Sequence, residues 1–176
     1  MHPATRIQLV HCTLRALTET DAPSLARHAN NRKVWINLRD VFPHPYALED
    51  AVEFIERAGT SERTVTFAVD VGGAAVGTIG LVLREDVDRV SAELGYWIGE
   101  EFWGRGIMSE AVKAVTGYGI THHRLTRVYA CTFDWNPASA RVLEKAGFQL
   151  EGRLRRSAVK DGSILDQLQY AYVVPG

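Results

Sequence analysis

Cysteine is scarce in this 176-residue chain, which has only Cys12 and Cys131. Two cysteines so far apart exclude a disulfide-stapled scaffold and any C-x-x-C redox or zinc spacing, and a reducing, cytoplasmic setting is the expectation. An excess of one charge is also lacking: Lys and Arg total 20 against 21 Asp and Glu, a formal charge of -1. No broad basic field is available to hold nucleic acid or an anionic membrane, so neither is an expected partner. No apolar run reaches the length of about 18 residues that a membrane span needs. Met1–Val10 carries His2, Pro3 and Arg6 without an apolar segment, so it reads as neither signal peptide nor span. With 15 Gly and 6 Pro the chain is neither collagenous nor low-complexity. What remains is an ordinary globular composition, 46% apolar and 23% charged, and one domain over residues 1–176 is expected.

The apolar period changes along the chain. A strand is expected at Cys12–Leu17, then a helix opened by Thr18-Glu19-Thr20-Asp21 with Pro23 in its first turn, running to about Asn30. Asn31–Tyr46 holds scattered aromatics and two prolines without a period, and reads as a long loop or broken helix. Its residues Trp35, Asn37, Arg39, Phe42 and Tyr46 are candidate walls of an acceptor site by position; a surface loop pinned by aromatics explains them equally well. Ala51, Val52, Phe54, Ile55 and Ala58 recur at helical spacing, with Gly59 placed to end that helix in a left-handed cap.

From Thr64 the period is two: a strand to Val71, a Gly72-Gly73 hairpin turn, a partner strand Ala75–Leu83, and another strand Ala92–Ile98. Met108, Ala111, Val112, Val115, Tyr118 and His122 trace one helix face, weakened near its end by Gly117 and Gly119. A buried strand Arg127–Thr132, a short helix Pro137–Ala146 stopped by Gly147, and a hairpin of Phe148–Ala158 and Ile164–Val173 turning at Asp161-Gly162 complete the order. The expected architecture is α/β, or α+β by a stricter count: a mixed, largely antiparallel sheet flanked by helices.

Three constellations can carry chemistry. In Trp103-Gly104-Arg105-Gly106-Ile107-Met108-Ser109, closely spaced glycines before a helix let backbone N–H groups converge on an anion. The segment has neither the Walker ending nor the three-glycine dinucleotide fingerprint, so ATP and NAD rank low, while a glycine-rich helix entry without a ligand is the plain alternative. Asn136-Pro137-Ala138-Ser139 opens a helix, and capping alone explains Asn136. Ser139 precedes Leu143 by four residues, on the inward side, where a hydroxyl must find a partner or a ligand. Glu93 stands on the face opposite Leu94, Tyr96 and Ile98, and reads either as a half-buried base or as an exposed or salt-bridged strand residue. Cys131, in an apolar strand without a His motif, reads as a core thiol rather than a nucleophile. His122-His123 has no metal-ligand spacing, and no metal is expected.

Taken in order, Glu93-Leu94-Gly95-Tyr96-Trp97-Ile98, Trp103 to Ala111 and Asn136 to Phe148 resemble the GNAT superfamily of acyl-CoA-dependent N-acetyltransferases. They most resemble its RimJ/RimL-like branch, the ribosomal-protein N-terminal acetyltransferases, and Thr13 to Ala22 and Pro45 to Ile55 extend the match over nearly the whole chain. The resemblance implies acetyl-CoA as co-substrate. It implies that backbone at Trp97, Ile98 and Gly99 pairs with the pantetheine arm, and that Trp103, Gly104, Arg105, Gly106, Ile107, Met108 and Ser109 bind the pyrophosphate through N–H groups. The helix from Asn136 through Ser139 to Lys145 would lie along the other side of the arm. Trp103 replaces the usual Gln or Arg and Met108 the usual Gly or Ala. The position of the tyrosine that many members use to protonate the leaving thiolate is Leu143; Ser139 resembles the serine that RimL-like members use instead.

The implied reaction is direct acetyl transfer to a primary amine in a ternary complex. A Lys-like amine titrates near 10, so a base is useful at neutral pH, and Glu93 is the candidate, directly or through water. A backbone N–H near Ile98 can face the developing oxyanion. A protein N-terminal amine is the first candidate acceptor. An aminoglycoside, polyamine or amino acid, or a non-catalytic acyl-CoA-binding module, are the alternatives. Monomer and homodimer are equally open.

Overall fold

A computed structural model describes residues 5–176; residues 1–4 of the N-terminal stretch lie outside the described residues. The period-two segments form the middle of one sheet. Strands β1 (Ile7–Gln8) and β2 (Thr13–Arg15) lead into helices α1 (Ala22–Ala29), α2 (Arg32–Trp35) and α3 (Leu48–Thr60). Strands β3 (Thr64–Val71), β4 (Ala74–Leu83) and β5 (Ser91–Ile98) follow, then α4 (Ile107–His123), β6 (Arg127–Phe133), α5 (Pro137–Lys145), β7 (Gln149–Lys160) and β8 (Ser163–Val173). The eight strands lie in the order β1-β2-β3-β4-β5-β6-β8-β7, antiparallel throughout except that β5 and β6 run parallel. A parallel pair needs a crossover, and α4 supplies it. The architecture is the expected mixed sheet flanked by helices.

Helices cover both faces, which is why β3 is buried at nearly every position instead of on alternate ones. On one face Leu94 and Ile98 of β5 pack with Ile107, Met108, Ala111, Val112 and Val115 of α4 and with Leu143 of α5. On the other, Leu25 and Ala29 of α1 and Ala51 and Ile55 of α3 meet Ala68, Ala75 and Trp97. Gly119 has a packing reason: a Cβ there would lie 2.7 Å from Leu81 Cδ1 and 2.9 Å from Leu125 Cδ1.

Two expectations need correction. Gly59 does not end its helix: α3 continues through Thr60 and is capped by Ser61 in an extended conformation. Its other cap is also polar, with Asp50 accepting from the Ala47 N–H at 2.7 Å. The strand expected at Cys12–Leu17 spans only Thr13–Arg15, and Arg15 at its end is drawn into ion pairs with Asp21 and Asp70. The short edge strand Ile7–Gln8 carried no detectable period.

Candidate active site

Strands β5 and β6 pair only where Ser91, Ala92 and Glu93 face Arg127, Val128 and Tyr129. Beyond that point β5 runs on to Ile98 and β6 to Phe133 without pairing, so the two strands part and leave a cleft in the sheet. The Gly99 N–H donates to the Val76 carbonyl at 2.9 Å. Because bond direction alternates along an antiparallel pair, the backbone polar groups of Ile98 and Tyr96 then point away from β4, into the cleft. The Ile98 carbonyl accepts there from the Trp103 indole N–H at 2.9 Å.

The glycine segment lies at the mouth of this cleft, between β5 and the start of α4. Gly104 and Gly106 adopt φ of +72° and +79°, a left-handed conformation that side chains with a Cβ resist. A Cβ built at either would meet nothing within 4 Å, so what demands glycine here is the turn itself, with space in front of it. Gly106 is the N-cap of the 17-residue α4, whose first N–H groups have no helical partner. Ile107 and Met108 bury their side chains in the core, so they can offer a ligand only backbone. Arg105 is exposed, its guanidinium 5.3 Å from the Phe102 ring centre, and Ser109 is half-buried.

Across the cleft, Asn136 caps α5 by accepting from the Ser139 N–H at 3.2 Å, the capping role that its position before Pro137 suggests. Ser139 Oγ lies 2.7 Å from the Tyr96 hydroxyl. Burial pushes the Tyr96 phenol up to about 12, so it keeps its proton at neutral pH. Lys145 is exposed in the last turn of α5, about 9 Å along the axis from Ser139 at 1.5 Å per residue.

Glu93 sits at the fork, on the face that carries α1 and α3. Its carboxylate is paired with Arg39 through one oxygen and with Arg84 through the other, the latter at 2.8 Å, and its side chain is 16% exposed. Glu93 is thus half-buried and salt-bridged at once. Arg84 also donates from Nε to the Tyr129 hydroxyl at 2.8 Å. Cys131, two residues past the fork on β6, is half-buried and lies outside the core clusters. Burial, aided by the Glu93 charge, raises its thiol pKa, the reverse of what a nucleophile needs.

The acceptor-wall candidates separate. Arg39 reaches the fork, and Trp35 is half-buried with its ring against His44, the ring centres 5.5 Å apart. Asn37 turns back onto its own loop, donating to the Lys33 carbonyl at 3.0 Å. Phe42 packs on Trp97 and Tyr46, with centroid distances of 5.4 and 4.8 Å. Tyr46 is only 6% exposed among core residues, and burial pushes its phenol up to about 12. Sequence reading missed Tyr96 and Arg84. The first looked like one more apolar strand position, and the second joins Glu93 only through the β4–β5 pairing.

The family model for the acetyltransferase (GNAT) domain matches residues 11–149. The chain belongs to the GNAT acetyltransferase family. The uncharacterized N-acetyltransferase YoaA of Bacillus subtilis is 31% identical over 169 residues, covering 92% of this chain and 93% of that protein. The ribosomal-protein-serine acetyltransferase of Escherichia coli is 25% identical, covering 92% of each. The spermidine N(1)-acetyltransferase of Escherichia coli is 28% identical, covering 80% of this chain and 74% of that one. In fold, RimJ of Mycobacterium smegmatis, solved in complex with CoA-disulfide, superposes with a TM-score of 0.86 at 22% identity, covering 98% of this chain and 90% of that one. This GNAT chain is thus an acyltransferase. No helix among its described residues is long and apolar enough to cross a membrane.

Proposed function

We propose that residues 1–176 act as one N-acetyltransferase domain that moves acetyl from acetyl-CoA to a primary amine by direct transfer. The observation that carries this reading is the fork itself. One cleft has a carboxylate, Glu93, on one face and a hydroxyl pair, Ser139 and Tyr96, on the other, with the glycine turn at its mouth.

The residues present fit the co-substrate. Inward-turned backbone at Tyr96 and Ile98 suits an amide-bearing arm, and the turn at Gly104 and Gly106 with the first N–H groups of α4 suits a pyrophosphate. Acetyl-CoA supplies an activated acetyl thioester. Glu93 accepts the proton of the incoming ammonium, directly or through water, after the acceptor loosens Arg39 from it. The Ile98 N–H faces the oxyanion as charge develops. Ser139 gives its proton to the departing thiolate as it takes one from Tyr96, and Tyr96 is restored through water by the proton that the acceptor nitrogen sheds when the intermediate collapses to the amide.

The acceptor we favour is a protein N-terminal amine. A polyamine needs several carboxylates facing the reacting centre, whereas here two arginines flank the one carboxylate at the fork. The test is a thermal shift with acetyl-CoA, using ATP and NAD as controls and Gly106→Glu as a blocked variant, followed by turnover on peptide N-termini and on spermidine. A ligand at 100 times its Kd stabilises by about 2.7 kcal/mol, so the shift should be plain, confined to acetyl-CoA and lost in the variant. Turnover should favour peptides. A shift without turnover on any amine would make the chain an acyl-CoA-binding module, and no shift at all would overturn the cofactor assignment.

A further inference from the structure

Lys160 is the only lysine or arginine buried among the described residues, with 1% of its side chain exposed. It ends β7, at the tip of the β7–β8 hairpin opposite Ser163, and its side chain reaches Asp40, 120 residues away in sequence. Its Nζ donates to Asp40 Oδ1 at 2.7 Å and stands 3.7 Å from the centre of the Trp35 ring. The next residue, Asp161, accepts from Arg32 at 2.5 Å, and the Arg32 guanidinium lies 5.3 Å from that same ring centre. The hairpin tip therefore holds α2, at Arg32 and Trp35, together with the segment that follows it, at Asp40.

That segment needs holding. Between α2 and α3 the chain forms no regular element, and Arg39, Asp40 and Val41 are exposed. Arg39, adjacent to Asp40, is the residue that reaches Glu93 at the fork. An apolar side chain at position 160 would also fill the space over Trp35. What an ammonium adds is a directed bond to Asp40, and with it a fixed place for Arg39.

We propose that Lys160 is a positioning residue for the acceptor site: by gripping Trp35 and Asp40 it sets the loop that presents Arg39 to Glu93 and shapes the entrance for the amine. The inference rests on the acetyl-transfer reading above for its kinetic consequence, but not for the grip itself. Its two parts are accordingly tested by different measurements.

Hydrogen exchange is compared among wild type, Lys160→Met, Lys160→Arg and Asp40→Asn, with residues 103–109 as the internal control. The methionine and asparagine variants should speed exchange across residues 36–44 about tenfold, the scale of one lost charge-assisted bond, and leave the glycine segment unchanged. Steady-state kinetics with an N-terminal peptide should then show the acceptor KM raised about tenfold in the same two variants, with the KM for acetyl-CoA within about twofold of wild type. Lys160→Arg, which keeps the cation, should restore most of the acceptor KM. Asp40 is 72% exposed, so its variant keeps the test decisive even if Lys160→Met fails to fold. Unchanged exchange at residues 36–44 overturns the grip, and faster exchange with an unchanged acceptor KM overturns its positioning role. A wild type that binds acetyl-CoA but acetylates no amine overturns the transfer reading instead, and the exchange comparison still decides the grip.

Discussion

Ser139 Oγ and the Tyr96 hydroxyl stand 2.7 Å apart and join α5 to β5 across the opening between β5 and β6. The place on α5 where a tyrosine acid would be sought is taken by Leu143, which is buried, while Ser139 lies one turn earlier on that helix and Tyr96 on β5. If this pair returns the proton to the thiolate, Ser139→Ala should lower kcat about 100-fold with little change in the KM for acetyl-CoA, within the range for a lost general acid. Tyr96→Phe should cost less, about tenfold, because Ser139 can still be resupplied by water. Thiol release measured at saturating acetyl-CoA checks both. A Ser139→Ala enzyme with wild-type kcat would remove the pair from the reaction.

Glu93 is fixed between Arg39 and Arg84, and its proposed work is to take a proton that the acceptor itself surrenders at high pH. Glu93→Gln should lower kcat/KM for the amine by about 100-fold or more near pH 7. The deficit should shrink as pH rises, because the fraction of neutral amine grows about tenfold per pH unit below its own pKa. The pH profile of the variant is the measurement. A deficit that is constant with pH would mean that Glu93 only orders Arg39 and Arg84.

The sheet was legible because period two from Thr64 to Leu83 needs no tertiary information, and the glycine segment was legible because two left-handed positions leave little choice of residue. Gly59 misled because a helix with Ala58 buried and a polar cap at Ser61 tolerates glycine near its end. The site itself was legible only where its parts are local. Arg39 meets Glu93 across 54 residues and Lys160 meets Asp40 across 120, and no periodicity encodes such pairs. Tyr96 was hidden for another reason: a phenol in an apolar strand reads as core until the hydroxyl's partner is seen.

Asp21 gives a prediction about stability rather than turnover. It accepts from Arg15 at 2.7 and 2.8 Å and from the Thr18 N–H at 2.8 Å, while Arg15 Nε also donates to Asp70 at 2.6 Å, so β2, β3 and the start of α1 share one network. Burial alone would raise the Asp21 carboxyl, but Arg15 and the Thr18 N–H outweigh it and hold the group below its usual range. A folded pKa below the unfolded value of about 3.9 means that the contribution is complete above that pH and is lost as pH falls through the folded pKa. Asp21→Asn should therefore destabilise by about 1–3 kcal/mol at neutral pH. The cost stays below that of stranding a buried charge, because Asp70 remains to pair Arg15. Urea midpoints of wild type and variant should draw together as pH is lowered from neutral through the unfolded carboxyl value of about 3.9 and on toward the lower folded one. If the two curves stay equally far apart at the lower pH, the stabilisation comes from the shape of the side chain and not from its charge.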